Sequence, residues 1–415
     1  MSDWIHDAAV LRELAKTYFD IARSDQNAEN LRLHRAVNDR QAERPAVLIE
    51  EIPWHEMNIN DELTLQCSDA YLRSVEWYLR TSIYKSRYLP ADMVVPPYIP
   101  VQKIVHSTGI GIEVDEEIVA ADAGNHIVAH KYKDILQTDA ELETLRSPIL
   151  TYDEAETNRR FQLLGDMVGD LLPIRKAGIG YLNVVTWDDI SRYRGVTNLL
   201  MDLAERPDFM HRTVRKLTDI RLAYLDQLEA LGLFDNDPYS LHCTPIKTAD
   251  LPTGEAKDGH LTRKDVWGRG AAQIFASVSR TMHAEFDIEY MKETIGQCGL
   301  SYYGCCEPLD KKIDIVEALP NLRKISITPW ANVDVAAELI NTKYVLSSKP
   351  NPAAVAVPQL DTDNLKDEIT RILEAVKRHG CSCDIVLKDI STCRKRPQNI
   401  FEWEQTVMGL VRDFG

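Results

Sequence analysis

Residues 300–347, LSYYGCCEPLDKKIDIVEALPNLRKISITPWANVDVAAELINTKYVLS, decide the fold of this chain. Short apolar runs alternate in this segment with stretches whose apolar residues have helical spacing. Strands are expected at 300–305, 322–328 and 344–347, and helices at 311–319 and 333–340. Because strands that alternate with helices form parallel sheets, the segment predicts an α/β fold.

The same alternation covers the chain on both sides of this segment. It predicts further strands at 181–187, 238–243 and 384–387, and further helices at 206–231, 277–298, 365–378 and 397–411. So many successive strand–helix units favour a closed (β/α)8 barrel, the TIM barrel, over an open doubly wound sheet. No GxGxxG or GxxxxGK[ST] motif follows a strand, which also speaks against a nucleotide-binding open sheet.

The N-terminal part of the sequence has a different pattern. Residues 1–100 are predicted to form a mostly helical extension, and residues 101–415 the barrel as the catalytic domain. Within the extension, residues 45–53 are bounded by prolines and are expected to be extended, and the prolines of 94–100 exclude a helix there. The sequence leaves open whether this extension covers the barrel mouth or forms the contact of a homodimer.

The composition limits the partners of the protein. The 415 residues carry a formal charge of −16, which argues against binding nucleic acid or anionic membranes through a basic surface. The N-terminal residues lack the pattern of a signal peptide, and no apolar run approaches the ~18 residues that span a bilayer. We therefore expect a cytoplasmic protein whose eight cysteines stay reduced and are free to bind metal or to react.

Two adjacent cysteines and a glutamate follow the predicted strand at 300–305. In a barrel the chemistry lies at the C-terminal ends of the strands. Because side chains alternate along a strand, only one of Cys305 and Cys306 is expected to face the barrel mouth. A thiolate and the Glu307 carboxylate are both zinc ligand types, and His242 and Cys393 at other strand ends could complete the site. The alternative is a buried cysteine pair before a helix that starts at Glu-Pro.

Other polar and aromatic residues at strand ends are candidates for contact with a substrate. Lysines beside an aspartate either form ion pairs or position an anionic group of the substrate. The expected catalytic residues are Lys349, Asn351 and Lys388, and the expected substrate-binding residues are Trp267, Trp330 and Asp389. Neither GxSxG nor HExxH occurs, so the sequence does not support nucleophilic or HExxH-type hydrolysis.

Several short motifs occur in a fixed order over residues 160–415. They are Arg194-Gly195, Glu205-Arg-Pro-Asp208, Trp267-Gly268 with Gln273, VSRTMHAEF at 278–286 with Tyr290, and Pro397-Gln-Asn-Ile400. Together they resemble the uroporphyrinogen decarboxylase superfamily, including its corrinoid-dependent methyltransferase branch. The resemblance implies a (β/α)8 barrel.

The two chemistries of that superfamily use different residues. Its decarboxylases carry an arginine-rich segment near the N-terminus, which this chain lacks. Its methyltransferases bind zinc through a His-x-Cys-Gly strand end and a later cysteine. Cys306 matches the first family cysteine and Cys393 lies close to the later one, but Gly304 stands in the place of the family histidine. Glu307 and His242 are the expected substitute ligands.

The resemblance implies a methyltransferase that moves a methyl group from a small methylated compound to a corrinoid protein or a thiol. Zinc would act as the Lewis acid, with Cys306, Glu307, His242 and Cys393 as its ligands. The corrinoid would be carried by a separate small partner protein. The alternative is a metal-free decarboxylase or lyase, in which Lys349 and Lys388 bind a carboxylated small molecule. A non-catalytic assembly subunit is a third possibility.

Overall fold

The structure, a computed structural model, describes residues 2–119, 128–252 and 260–414. The strands are β1 Ala46–Ile49, β2 Ile99–Gln102, β3 Ile104–Ser107, β4 Glu116–Val119, β5 Ala129–Tyr132, β6 Leu150–Asp153, β7 Ile174–Ala177, β8 Tyr181–Val184, β9 Ser240–Leu241, β10 Thr244–Pro245, β11 Trp267–Gly270, β12 Leu300–Tyr303, β13 Leu322–Ile327, β14 Val345–Ser348 and β15 Ser382–Leu387. The helices are α1 Ser2–Ala22, α2 Asp25–Asn38, α3 Ala70–Tyr88, α4 Asp139–Leu142, α5 Glu154–Val168, α6 Thr186–Arg194, α7 Val196–Glu205, α8 Pro207–Ala230, α9 Arg280–His283, α10 Glu289–Glu293, α11 Ile313–Val316, α12 Val333–Ile340, α13 Thr362–His379 and α14 Gln398–Arg412.

A seven-stranded parallel sheet in the order β1-β15-β14-β13-β12-β11-β8 forms the centre of the fold. The N-terminal β1 pairs with the C-terminal β15, with Ala46 opposite Asp384. The predicted α/β class with a large parallel sheet is therefore confirmed. The closed barrel is not confirmed, because within the described residues no ladder joins the two edge strands β1 and β8.

The chain before β8 accounts for the open edge of the sheet. β7 pairs with β2 in a separate parallel pair, with Ile99 opposite Ile174, so neither strand extends the central sheet. Gly178 then packs so closely on the backbone of Leu233 that a Cβ would lie 2.3 Å from the Leu233 carbonyl oxygen. This contact turns the chain away from β7 before β8 begins.

The N-terminal hundred residues are mostly helical, as predicted, and α1 and α3 pack with α5 around a core of their own. However, β1 lies within them and belongs to the central sheet, and the predicted boundary at residue 100 falls inside β2. The two parts of the chain therefore share one sheet. Across the described ranges, none of the helices combines the length and apolar character that crossing a bilayer requires.

Two of the predicted elements differ from the structure. The helix expected at 277–298 is divided into α9, a π-helical turn at Ala284–Ile288, and α10. The strand expected at 238–243 is wrong: its residues form the antiparallel hairpin β9–β10 together with residues 244 and 245. The predicted strands at 181–187, 300–305, 322–328, 344–347 and 384–387 correspond to β8, β12, β13, β14 and β15.

Candidate functional site

A group of sulfur, nitrogen and carboxylate side chains lies where β12 and β15 end and the β9–β10 hairpin turns. We call His242, Cys305, Cys306, Lys388 and Asp389 the thiol cluster. Cys305 and Cys306 follow β12, Lys388 and Asp389 follow β15, and His242 comes from the hairpin. The rule that chemistry lies at the C-terminal ends of parallel strands therefore located most of this site.

The atoms of the thiol cluster are in direct contact. His242 Nε2 lies 3.1 Å from Cys305 Sγ, and the two sulfur atoms are 3.6 Å apart. Lys388 Nζ lies 3.4 Å from Cys305 Sγ and 3.5 Å from Cys306 Sγ, and it donates to Asp389 Oδ2 at 2.6 Å. Cys306 Sγ is 3.4 Å from the same carboxylate oxygen. A cation thus bridges two thiols and a carboxylate.

Both thiols belong to this cluster, so the expectation that only one would face the site is wrong. The alternation rule fails because β12 ends at Tyr303, before the cysteines. Gly304 follows with φ 104°, a left-handed value that turns the chain out of the strand. A histidine at the matching family position would be strained here, because a Cβ on Gly304 would lie 2.7 Å from Leu309 Cδ1.

Substituting Gly304 by alanine is expected to destabilise the protein by about 2–3 kcal/mol, because it combines a strained φ with a close contact. Gly165→Ala is the matched control. Gly165 lies within α5 with no atom near its missing Cβ, so alanine there should stabilise by about 0.5–1 kcal/mol. Urea denaturation of both variants checks the prediction, and equal stability of the two would contradict it.

The hairpin turn places His242 in an unusual backbone conformation. His242 and Cys243 have φ values of 24° and 61°, and such turns normally contain glycine or asparagine. Glu51 after β1 and Asp389 after β15 also have positive φ, 49° and 57°. Residues held in this region without glycine concentrate at functional sites. No periodicity argument could have predicted this turn, because its two central residues carry no turn signal.

A second set of potential ligand atoms shares His242 with the thiol cluster. One ligand atom each of Glu51, His242 and Cys243 lies within 4.8 Å of the others, and within the described residues this is the only such group of three or more His, Cys, Asp or Glu side chains. Sequence reasoning missed Glu51. It is the second residue after β1, and the strand-end rule would have found it had β1 been assigned to the central sheet.

The charges of the cluster favour one thiolate at neutral pH. The hydrogen bond with Cys306, followed by the contacts with His242 and Lys388, lowers the pKa of Cys305 although burial opposes the change. The same bond, together with burial, raises the pKa of Cys306. Burial would lower the pKa of Lys388, but the neighbouring thiolate and Asp389 raise it above its usual value. These contacts therefore favour Cys305 over Cys306 as the thiolate of the pair.

Glu307 and Cys393, two of the predicted ligands, bond to other groups. The fully buried Glu307 carboxylate accepts hydrogen bonds from the amides of Cys305 at 3.0 Å and Ala272 at 3.2 Å. Burial raises its pKa to about 7. Cys393 Sγ donates to Glu56 Oε2 at 3.1 Å. The structure thus links His242 to Cys306 only through Cys305, and among the described residues it brings Glu307 and Cys393 into no ligand group with His242.

The predicted catalytic residues have different surroundings. Lys388 contacts both thiols, as described above. Lys349 is buried and donates to the Cys243 carbonyl at 2.9 Å and to Ser347 Oγ at 2.7 Å. It therefore stabilises the hairpin turn through the Cys243 carbonyl. Asn351 caps the short helical turn that follows β14, accepting the Ala353 amide at 3.0 Å. A catalytic role for Lys349 and Asn351 stays a prediction.

The two predicted pocket tryptophans differ in exposure. Trp267 is buried, and its indole N–H donates to the Ile246 carbonyl at 3.1 Å. Trp330, after β13, is 70% exposed. Contact of either side chain with a substrate stays a prediction. A cavity of about 490 Å³ adjoins the site through Glu51 and Ser240, and its walls include Tyr78, Tyr98 and Tyr239.

Comparison with known proteins gives likenesses to solved structures only. No protein-family model matches the chain, and no curated protein matches its sequence. Among solved structures, the chain is similar to a methyltransferase from Methanosarcina mazei, with 11% identity and a TM-score of 0.49, over 91% of this chain and 97% of that chain. At this identity and TM-score the likeness assigns neither a function nor a site to the chain.

Proposed function

We propose that the protein is a zinc-dependent methyltransferase, which moves a methyl group from a small methylated compound to a corrinoid protein or a thiol. The contact of His242 with Cys305, whose sulfur in turn contacts Cys306, carries the proposal. Thiolate sulfur and imidazole nitrogen are the ligand atoms that zinc prefers, and here they come from two segments far apart in the chain. A corrinoid acceptor would be supplied by a separate small partner protein.

Two of the three ligand-atom distances are close to those of a zinc site, and Cys306 would have to move toward His242 to complete it. Zinc–sulfur bonds of about 2.3 Å and zinc–nitrogen bonds of about 2.0 Å require ligand atoms about 3.5–3.8 Å apart. The sulfur–sulfur distance of 3.6 Å meets this requirement, and the nitrogen–sulfur distance of 3.1 Å needs only a small side-chain adjustment. Glu51 is the candidate for a further ligand, because its carboxylate lies within 4.8 Å of the ligand atoms of His242 and Cys243.

The proposed ligand set differs from the one expected from sequence. Cys305 replaces Cys393, and Glu51 replaces Glu307. The role of Glu307 would be to fix the loop, because its carboxylate holds the amide of Cys305. When bound, zinc would supply a Lewis acid that stabilises a thiolate or draws charge from the atom carrying the methyl group.

The surrounding residues would position the substrate and balance the charge. Lys388 offsets the negative charge of the two sulfurs, and Asp389 holds its ammonium group in place. The cavity beside Glu51, at about 490 Å³, lies within the range of ~300–1,000 Å³ that is typical of small-molecule sites. A small methylated compound would fit there next to the ligands.

A specific contact favours a second candidate function, a metal-free decarboxylase or lyase. The Lys388 ammonium lies within 3.5 Å of both sulfurs and already neutralises the thiolate. A site of this charge can be stable without a metal, and Lys388 would then bind a carboxylated substrate by exchanging one of its present partners for the carboxylate. The metal content of the protein separates the two candidates.

The protein, purified without chelator, is expected to contain about one zinc per chain, since catalytic zinc is typically held by three protein ligands. Cys305→Ala, Cys306→Ala and His242→Ala should each lose most of it. Cys381→Ala is the matched control: this buried thiol donates to the Ala337 carbonyl at 3.3 Å and should not affect zinc. Elemental analysis measures the ratio. A metal-free wild type would reject the zinc proposal and favour the lyase.

A further inference from the structure

Arg269 is a buried cation whose charge is not matched by an ion pair. It is 2% exposed, and its Nη1 donates to Asn183 Oδ1 at 2.9 Å. Its Nε and Nη2 have no hydrogen-bond partner among the described residues. Arginine stays protonated in proteins, so both donors are left unsatisfied in a buried place. Buried polar groups of this kind call for a partner.

The other buried arginines of the described ranges each have a carboxylate partner, which Arg269 lacks. Arg194 bonds to Asp202 at 2.7 Å, and Arg323 bonds to Asp250 at 2.6 Å. The only hydrogen-bond partner of Arg269 among the described residues is an amide oxygen, Asn183 Oδ1. Nε and Nη2 lie on the same edge of the guanidinium group, and this edge donates two parallel hydrogen bonds to a carboxylate.

The strand around Arg269 directs its side chain away from the helices. Gly268 and Gly270 face the opposite side, where a Cβ on either would lie within 3 Å of an Ile295 side-chain atom. In the ladder, Arg269 stands opposite Asn183 on β8 and Tyr302 on β12. These three residues therefore share the face of the sheet that does not pack on helices.

The location joins Arg269 to the thiol cluster and to solvent. Its charge acts on Cys305, which follows β12, and on Asp188, which follows β8. Asn183, its hydrogen-bond partner, is exposed and lines a cavity of about 580 Å³ at the open edge of the sheet. Asn183 is thus the residue through which this cavity adjoins the guanidinium, and a ligand would reach Arg269 by displacing the Asn183 side chain.

We propose that Arg269 binds a carboxylate of the substrate through its Nε and Nη2. The substrate of the proposed methyl transfer would then be a small methylated carboxylic acid, anchored by its carboxylate at Arg269 with its methyl-bearing atom toward Cys305. The identity of the transferred group rests on the proposed function. The carboxylate site itself does not, because the lyase would use it equally.

Binding of methoxyacetate and of its neutral analogue methoxyacetamide to the full-length chain tests the proposal. Calorimetry with the wild type is expected to show at least a tenfold preference for the acid. Arg269→Met should reduce this preference to about one, and Arg269→Lys should keep part of it. Arg323→Met is the matched control, since this buried arginine already has a carboxylate partner, and should leave the preference unchanged.

The proposal would be overturned if the wild type bound methoxyacetate no better than methoxyacetamide, or bound neither. It would also be overturned if the Arg269→Met variant kept the wild-type preference for the acid. Circular dichroism confirms that each variant is folded. The zinc content, measured on the same samples, tests the zinc-dependent methyltransferase independently of the carboxylate site at Arg269. A wild type without zinc that still prefers the acid would reject the methyltransferase and retain the carboxylate site.

Discussion

Replacing Lys388 by methionine is expected to slow the alkylation of Cys305 by iodoacetamide at pH 6 by at least about tenfold. The thiolate is the reactive form, and Lys388 Nζ lies 3.4 Å from its sulfur. At an effective dielectric constant of about 20, a charge pair at this distance contributes several kcal/mol, which corresponds to more than one pKa unit. Removing the ammonium also leaves the Asp389 carboxylate unpaired beside the sulfurs, which raises the pKa of Cys305 further.

The pH dependence fixes the cause of this effect. In the wild type the lowered pKa of Cys305 keeps it a thiolate as the pH falls from 8 to 6, so its alkylation rate should change little. In Lys388→Met the rate should fall about tenfold per unit below the raised pKa and approach the wild-type rate near pH 9. Samples are freed of metal with a chelator first.

Two further variants test the assignment of the reactive thiol. Cys305→Ser should abolish the rapidly alkylated thiol. Lys103→Met, a partly buried lysine that donates to the Gly232 carbonyl, should behave like the wild type. If the alkylation rate of Lys388→Met were as independent of pH as that of the wild type, Lys388 would not be the group that stabilises the Cys305 thiolate.

The central sheet was predictable from the sequence because most of its strands have a clear local sequence pattern. The segment from β12 to β15 alternates apolar runs with short helices, and each strand pairs with the next in the chain. That no ladder joins the edge strands β1 and β8 within the described residues was not predictable in this way. It depends on how Gly178 packs against Leu233 and on the pairing of β7 with β2, and both are contacts between distant parts of the chain.

The candidate site was predicted in part for the same reason. Cys306, His242, Lys388 and Asp389 were found because they lie at or near the ends of predicted strands. The second thiol was assigned to the wrong face, because only the positive φ of Gly304 reveals that the strand has already ended. Arg269 was missed because it lies inside β11, whereas the strand-end rule selects only residues that follow a strand. Its unsatisfied donors can be identified only from the three-dimensional structure.

Asp384→Asn is expected to lower the free energy of unfolding at pH 7 by about 3–5 kcal/mol, the cost of breaking a buried ion pair by removing one partner. Asp384 and Lys324 are both fully buried, with Lys324 Nζ 2.8 Å from Asp384 Oδ2. Lys349 lies 3.9 Å from the other carboxylate oxygen. The substitution leaves two ammonium groups in the interior without a counter-charge. Asp334→Asn, at an exposed pair with Arg378, is the control and should cost less than about 1 kcal/mol.

The pH dependence of this loss distinguishes the lost charge from a simple packing defect. Burial lowers the pKa of Lys324 to about 8, although Asp384 opposes the change. Without Asp384 this pKa falls further, so the folded variant binds fewer protons than the wild type between the two pKa values. The stability difference should therefore narrow by up to about 1.4 kcal/mol per pH unit as the pH rises toward 8, and then stay level. A packing defect would give a constant difference.

The double variant Lys324→Met/Asp384→Asn completes this test. Replacing both members of a buried ion pair by uncharged groups costs less than removing one, because here only the Lys349 ammonium, and no longer that of Lys324, is left without its counter-charge. The double variant should therefore be more stable than Asp384→Asn alone by about 2 kcal/mol or more in urea denaturation at pH 7. If it were no more stable than the single variant, the hydrogen bonds of Asp384 to Thr244 and Ser347 would account for the loss, and the ion pair would not.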